Sequence, residues 1–124
     1  MSILGIGIDI VEINRIKKID IFFRNKLAKR ILSKKELSKY LVSCNKIQFL
    51  IKRFCVKEAL AKALGTGIRN KISFKHFEIY NNRLGKPKIK FLKNTFSYFH
   101  KIKKKHVSIS HEKKYFCSIV ILEN

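Results

Sequence analysis

Hydrophobic and polar residues change period several times along the chain, and each change predicts an element. Leu4, Ile6, Ile8 and Ile10 alternate with Gly5, Gly7 and Asp9, the period-two pattern of a strand over about residues 3–10. Ile16, Ile19, Phe23, Leu27 and Ile31 then recur at helical spacing and predict one helix over about 13–30. Ser33-Lys34-Lys35-Glu36 has the spacing of a capping box and should start a short helix that runs to about Val42. An apolar helix is expected from about Lys46 to Leu64, closed by Gly65. The second half reads as hairpins. Strands are expected near 76–80 and 88–91, joined by the turn-forming segment from Asn81 to Pro87. Asn94 or Thr95 should cap a short helix ending in the run Lys101 to Lys105. A strand at 106–110, a turn at 111–114 and a buried closing strand at 115–122 complete the pattern. Residues 1–124 carry no repeats or linkers and read as a single α+β domain, an antiparallel sheet packed with helices.

Two carboxylates interrupt this pattern. In the helix from Arg53 to Leu64, Glu58 falls inside the apolar stripe of Ile47, Leu50, Ile51 and Phe54, with Lys62 one turn on. A carboxylate there is costly unless something pairs with it. That partner is either Lys62, as a structural ion pair, or a bound cation. Asp9 sits on the strand face that glycines have cleared, and glycine in a strand marks close approach by a ligand or another backbone. Two carboxylates on different elements, with lysines nearby, could hold Mg²⁺ against a phosphate, because Mg²⁺ takes one or two protein carboxylates and completes its shell with water and substrate.

The net charge of +21 is dominated by lysine, 23 against 6 arginines, alongside abundant isoleucine and asparagine. That bias can come from an AT-rich genome, yet it also attracts polyanions, acidic proteins and phosphorylated ligands. A basic nucleic-acid-binding module is the rival reading, although no zinc finger, RNA-binding sheet signature or helix-turn-helix stands in the sequence. Cys44, Cys55 and Cys117 are too widely spaced for a zinc pattern or a disulfide framework. No apolar run reaches the length of a membrane span, and the opening residues lack a leader pattern, so a cytoplasmic location is expected.

Four segments taken together resemble the short bacterial phosphopantetheinyl transferases, the holo-[acyl-carrier-protein] synthases. They are Gly7-Ile8-Asp9-Ile10-Val11-Glu12-Ile13 with Arg15; Lys52-Arg53-Phe54-Cys55-Val56-Lys57-Glu58-Ala59 with Lys62 and the segment 65–69; Leu84-Gly85-Lys86-Pro87; and His106-Val107-Ser108-Ile109-Ser110-His111. The resemblance spans essentially the whole chain, in the family's order. It implies transfer of phosphopantetheine from coenzyme A to a serine of apo acyl carrier protein, with adenosine 3′,5′-bisphosphate as by-product and fatty acid biosynthesis as the setting. Asp9 and Glu58 then look like the Mg²⁺ ligands, and Lys62 like the lysine that meets the pyrophosphate. Arg53, Gly65, Lys86, Pro87, His106 and Ser108 fall where the family binds coenzyme A. A homotrimer with active sites at subunit interfaces is implied, and so is docking of the acidic carrier protein on Arg15, Lys18, Phe22 and Arg24. The chain departs from the family where some members carry an acid after the position of Ser33. Here Lys34 and Lys35 follow, Glu36 is the first acid available, and the serine's base is left between Glu58 and a metal-bound water. Cys55 replaces a common alanine. His76, His100 and His111 receive no role.

Overall fold

The computed structural model describes residues 2–65, 73–92 and 99–124. Strand β1 (Ile3–Glu12) leads into a short helix α1 (Ile13–Lys17), then α2 (Ile21–Ile31), α3 (Lys34–Leu41) and the central α4 (Lys46–Leu64). A 3₁₀ turn at Phe74–His76 precedes the hairpin β2 (Phe77–Asn81) and β3 (Pro87–Phe91). A second hairpin, β4 (Lys104–His111) and β5 (Tyr115–Glu123), follows. All pairings are antiparallel: β1, β5 and β4 form one sheet in that order, and β2 with β3 a second. The expected α+β class is the observed one. No helix among the described residues is long and apolar enough to cross a membrane.

Helix α4 is the axis because it is apolar nearly all round, the pattern of a helix buried on every side. Its buried residues run from Leu50 to Ala63, and its two ends serve different cores. Val56, Leu60 and Ala63 pack with Phe77, Ile79, Val107 and Val120. Leu50, Ile51 and Cys55 pack with Val11, Ile16, Ile31, Tyr40 and Phe116. The helix ends where Gly65 adopts φ 75°, a left-handed cap that donates its N–H to the Ala61 and Lys62 carbonyls.

β1 lies on α4 backbone against backbone. A Cβ on Gly5 would stand 1.8 Å from the Ala63 carbonyl oxygen, and one on Gly7 1.8 Å from that of Ala59. Two strand residues advance about 6.6 Å and four helix residues about 6 Å. Gly5 over Ala63 and Gly7 over Ala59 therefore set one register, which carries on to Asp9 beside Cys55, whose Sγ lies 3.5 Å from the Asp9 carbonyl. The face that the glycines clear is thus filled by another backbone.

The other face of β1 is bare. Ile6, Ile8 and Ile10 are 56%, 58% and 62% exposed, and they continue onto Ile121, Ile119 and Cys117 of β5. Leu4 leaves this row. A bulge between Ile3 and Gly5 puts it beside Ala63, Leu64, Phe99 and Ile102.

Three expectations are corrected. The single helix over 13–30 is two helices, because Asp20 caps α2 by accepting from the Phe22 N–H and the chain turns at Lys18 and Ile19. Phe23 is exposed rather than part of the apolar side. The strand ends differ from the expected limits by up to two residues, β4 beginning at Lys104 and β2 at Phe77. The expected helix after Asn94 or Thr95 lies largely outside the described residues.

The capping box at Ser33 forms in both directions: Glu36 N–H donates to Ser33 Oγ at 3.2 Å, and Ser33 N–H to Glu36 Oε1 at 2.9 Å. Glu36 also accepts from the fully buried Lys57 ammonium at 2.5 Å and from the Ile79 N–H at 2.9 Å. Lys57 donates further to the carbonyls of Ile31 and Phe74. Burial pushes the Lys57 ammonium below its ordinary range, and Glu36 opposes that.

Gly7→Ala should lower stability to urea by about 3 kcal/mol or more, since overpacking against backbone has no flexible side chain to absorb it. Gly85→Ala, at φ 83° with open space around it, should cost only about 1 kcal/mol. Equal losses in the two variants would refute the backbone contact.

Candidate active site

Where β1 passes the last turns of α4, Asp9, Glu58 and Lys62 come together. Asp9 points inward because it continues the glycine face, in a row with Ser118 and Ile109. Glu58 and Lys62 are one helical turn apart and flank that row. Lys62 Nζ donates to Asp9 Oδ1 at 3.2 Å and to the Ile8 carbonyl at 3.0 Å. The lysine is therefore the partner of Asp9, where an ion pair with Glu58 was the structural alternative. Glu58 is half-buried and makes no hydrogen bond or ion pair among the described residues. Burial, and after it the charge of Asp9, pushes its carboxyl above the ordinary range, with Lys62 pulling the other way.

A half-buried carboxylate without a donor, next to a second carboxylate, is a poor arrangement for an apoprotein and a good one for a hard cation. Asp9 and Glu58 are the residues that could hold it. No group of three or more metal-ligating side chains occurs among the described residues, so the remaining positions would go to water and phosphate. Cys55, next to Asp9, is no nucleophile: burial pushes its thiol up to about 11, and its sulfur sits 3.2 Å from Ser118 Oγ.

A second cluster lies at the β4 edge of the sheet, on the side that α4 covers. A cleft of about 330 Å³ is lined by Lys86 from the β2–β3 turn, Pro87 at the start of β3, Ser108 from β4, and Gln48 and Lys52 from α4. His111, stacked on Phe116 with ring centroids 4.8 Å apart, closes one side. A larger cavity, about 640 Å³, is lined by residues including Lys35, Lys39, Glu78, Lys90 and Lys105, and Asp9 and Glu58 take no part in it. The neighbouring carboxylates, and not cavity size, mark the candidate site.

A family model described as the 4′-phosphopantetheinyl transferase superfamily matches residues 5–120. The chain belongs to this superfamily. Within it, the chain is 58% identical over 125 residues to the holo-[acyl-carrier-protein] synthase of Buchnera aphidicola subsp. Schizaphis graminum, covering 99% of both chains. The crystal structure of holo-[acyl-carrier-protein] synthase from Neisseria meningitidis matches with TM-score 0.92 at 35% identity, over 99% of this chain and 100% of the other. The enzyme from Helicobacter pylori in complex with coenzyme A matches with TM-score 0.81 at 34% identity, over 95% of this chain and 99% of the other. The expected family is thereby confirmed, and this phosphopantetheinyl transferase is an enzyme of the holo-[acyl-carrier-protein] synthase kind.

The transferase brings together Asp9, Glu58 and Lys62 in one place and Lys86, Pro87 and Ser108 in another. His106 stands two residues before Ser108 on the same strand face and pairs with Glu123. Gly65 caps α4, three residues after Lys62. Arg53 is placed differently: its guanidinium is buried over the Phe49 ring and lies 3.7 Å from Glu36, away from the cleft. Arg15, Lys18 and Phe22 are exposed, whereas Arg24 is half-buried and reaches back to the Ile19 carbonyl. Sequence reasoning missed Lys52, Gln48 and His111 as cleft residues, and Lys57 as the hub of a buried network. A lysine on an apolar helix face, as Lys57 is, was the available signal.

In the metal-free protein, Glu58→Gln should raise the melting temperature at neutral pH. A raised carboxyl pKa means that the folded state holds this proton more tightly than the unfolded chain does. The penalty is absent below the ordinary carboxylate range, grows as pH rises toward the raised value, and is complete above it. The gain from Glu58→Gln should accordingly vanish below about pH 4. A gain that persists unchanged in acid would overturn the account.

Proposed function

We propose that this transferase moves 4′-phosphopantetheine from coenzyme A to a serine of an apo acyl carrier protein, with Mg²⁺ held by Asp9 and Glu58. The observation that carries the reading is Glu58, without a donor among the described residues, beside Asp9, whose strand is locked against α4. The serine oxygen attacks the pyrophosphate phosphorus that bears pantetheine. The bond to the bridging oxygen breaks, and adenosine 3′,5′-bisphosphate leaves. Bound Mg²⁺ supplies charge neutralisation on the phosphates. Lys62 spends two of its three N–H donors on Asp9 and Ile8, and the third is left for a phosphate oxygen, where it stabilises the leaving charge. The serine proton needs an acceptor. Glu36 is unsuited to that role, because its carboxylate is buried and engaged by Ser33, Lys57 and Ile79. Glu58 and a water at the metal remain.

Two features support a homotrimer with shared active sites. The Ile6, Ile8 and Ile10 face is too apolar to leave in water. In addition, Asp9 lies in the row with Ser118 and Ile109, while Ser108 lies in the adjacent row with Ile119 and Ile8, on the opposite face of the sheet. One chain therefore cannot present Asp9 and Ser108 to one coenzyme molecule directly across the sheet, and a neighbour's β4 supplies the second set. The acidic carrier protein docks on Arg15, Lys18 and Phe22, with Arg24 supporting them from below.

Mass spectrometry of apo acyl carrier protein incubated with coenzyme A, Mg²⁺ and this enzyme should show the phosphopantetheine adduct. Asp9→Ala and Glu58→Ala should each reduce transfer at least a hundredfold, on the order of an electrostatic contribution to phosphoryl transfer. Tight, Mg²⁺-independent, steeply salt-sensitive nucleic-acid binding without transfer would favour the rival module instead.

Mixing inactive Asp9→Ala chains with His106→Ala chains, which bind coenzyme A weakly, should give more activity at low coenzyme A than either alone, and full activity of a monomer by light scattering would refute the shared site. Charge reversal at Arg15 and Lys18 should raise KM for the carrier protein and leave KM for coenzyme A almost unchanged. An equal rise in both would place docking elsewhere.

A further inference from the structure

Glu123 pairs with His106 on β4, and the reaction as described gives it no task. Its carboxylate Oε2 lies 2.5 Å from His106 Nε2. On β5 it stands two residues beyond Ile121, the register partner of His106, on the same outward face. That diagonal is within reach of a long side chain. Its register partners are Lys104 on β4 and Ile3 on β1.

The pair does not serve mainly to hold the strands. His106 is 53% and Glu123 22% exposed at the side chain, and exposed pairs contribute little to stability. The backbone around Glu123 is fixed independently. Lys103 N–H donates to the Glu123 carbonyl at 2.8 Å, and Asn124 is clipped to Ser2 by hydrogen bonds of 3.1 and 2.7 Å. The strand thus positions the carboxylate, and the carboxylate positions the ring. A carboxylate only accepts, so Nε2 carries the hydrogen of this bond, and Nε2 is no longer available to a ligand. Among the described residues Nδ1 is left for a ligand, as a donor when the ring is protonated and as an acceptor when it is neutral.

We propose that Glu123 is a positioning residue for coenzyme A: it fixes the His106 ring through Nε2 and turns Nδ1 toward the coenzyme. The proposal rests on the reading that His106 contacts coenzyme A, and it specifies which atom does so and what orients it.

The test is steady-state kinetics with each substrate varied in turn. Glu123→Ala should raise KM for coenzyme A about five- to tenfold, the scale of losing one charge-assisted contact. It should leave kcat and KM for the carrier protein within about twofold, and the melting temperature nearly unchanged. In a His106→Ala background the same substitution should add nothing. His106→Asn places an amide nitrogen near Nδ1, and His106→Gln near Nε2, so the asparagine variant should keep the lower KM for coenzyme A. If Glu123→Ala leaves that KM unmoved, if its effect persists in the His106→Ala background, or if His106→Gln outperforms His106→Asn, the positioning role is overturned. If His106→Ala itself leaves KM for coenzyme A unchanged, the contact between His106 and the coenzyme is what has failed.

Discussion

The structure depends on one contact in which two backbones meet with no side chain between them. β1 can sit on α4 only because positions 5 and 7 lack a Cβ and the helix offers Ala59 and Ala63 beneath them. Few arrangements fix a strand on a helix so tightly, because neither partner can slide without driving a carbonyl into an α-carbon. Asp9 inherits its place from that fit. So does the meeting of Asp9 with Lys62, whose two hydrogen bonds reach a carbonyl and a carboxylate of the same strand.

The buried Lys57–Glu36 pair plays the corresponding part on the other side of α4. Glu36 joins three elements at once, through the start of α3, through Lys57 on α4 and through the Ile79 N–H on β2. Removing one member of such a pair leaves an uncompensated buried charge, whereas an apolar replacement of both can be tolerated. The network explains why Glu36, the first acid after Ser33, is unsuited to take a proton from a substrate. Its oxygens are already occupied by donors that the fold itself requires.

Much of this was legible in the residues. Alternation located β1, the capping box located α3, and Gly65 marked the end of α4, because each rests on local chemistry that tertiary context did not override. Asp9 and Glu58 stood out because each broke an apolar or glycine pattern. The split at Lys18 and Ile19 was missed because Ile16, Ile19 and Leu27 keep helical spacing across the break, and only the Asp20 cap betrays it. Lys57 was missed because its place on an apolar helix face is a weak signal in a chain with 23 lysines until its burial is known. The pairing of Lys62 with Asp9 rather than Glu58 depends on a strand far away in sequence, which helical periodicity cannot register.

The pairing of β1 with β5 also bears on how the chain is made. Ile6 lies opposite Ile121, so β1 must wait for β5, made much later, before its ladder can close. Until α4 and then β5 are made, β1 lacks first its helix and then its sheet partner, and its isoleucines form a short apolar segment of high β-propensity. The chain is most exposed to aggregation in that interval. The folding rate should be governed by closure of this long loop rather than by the helices between, which can form locally and early.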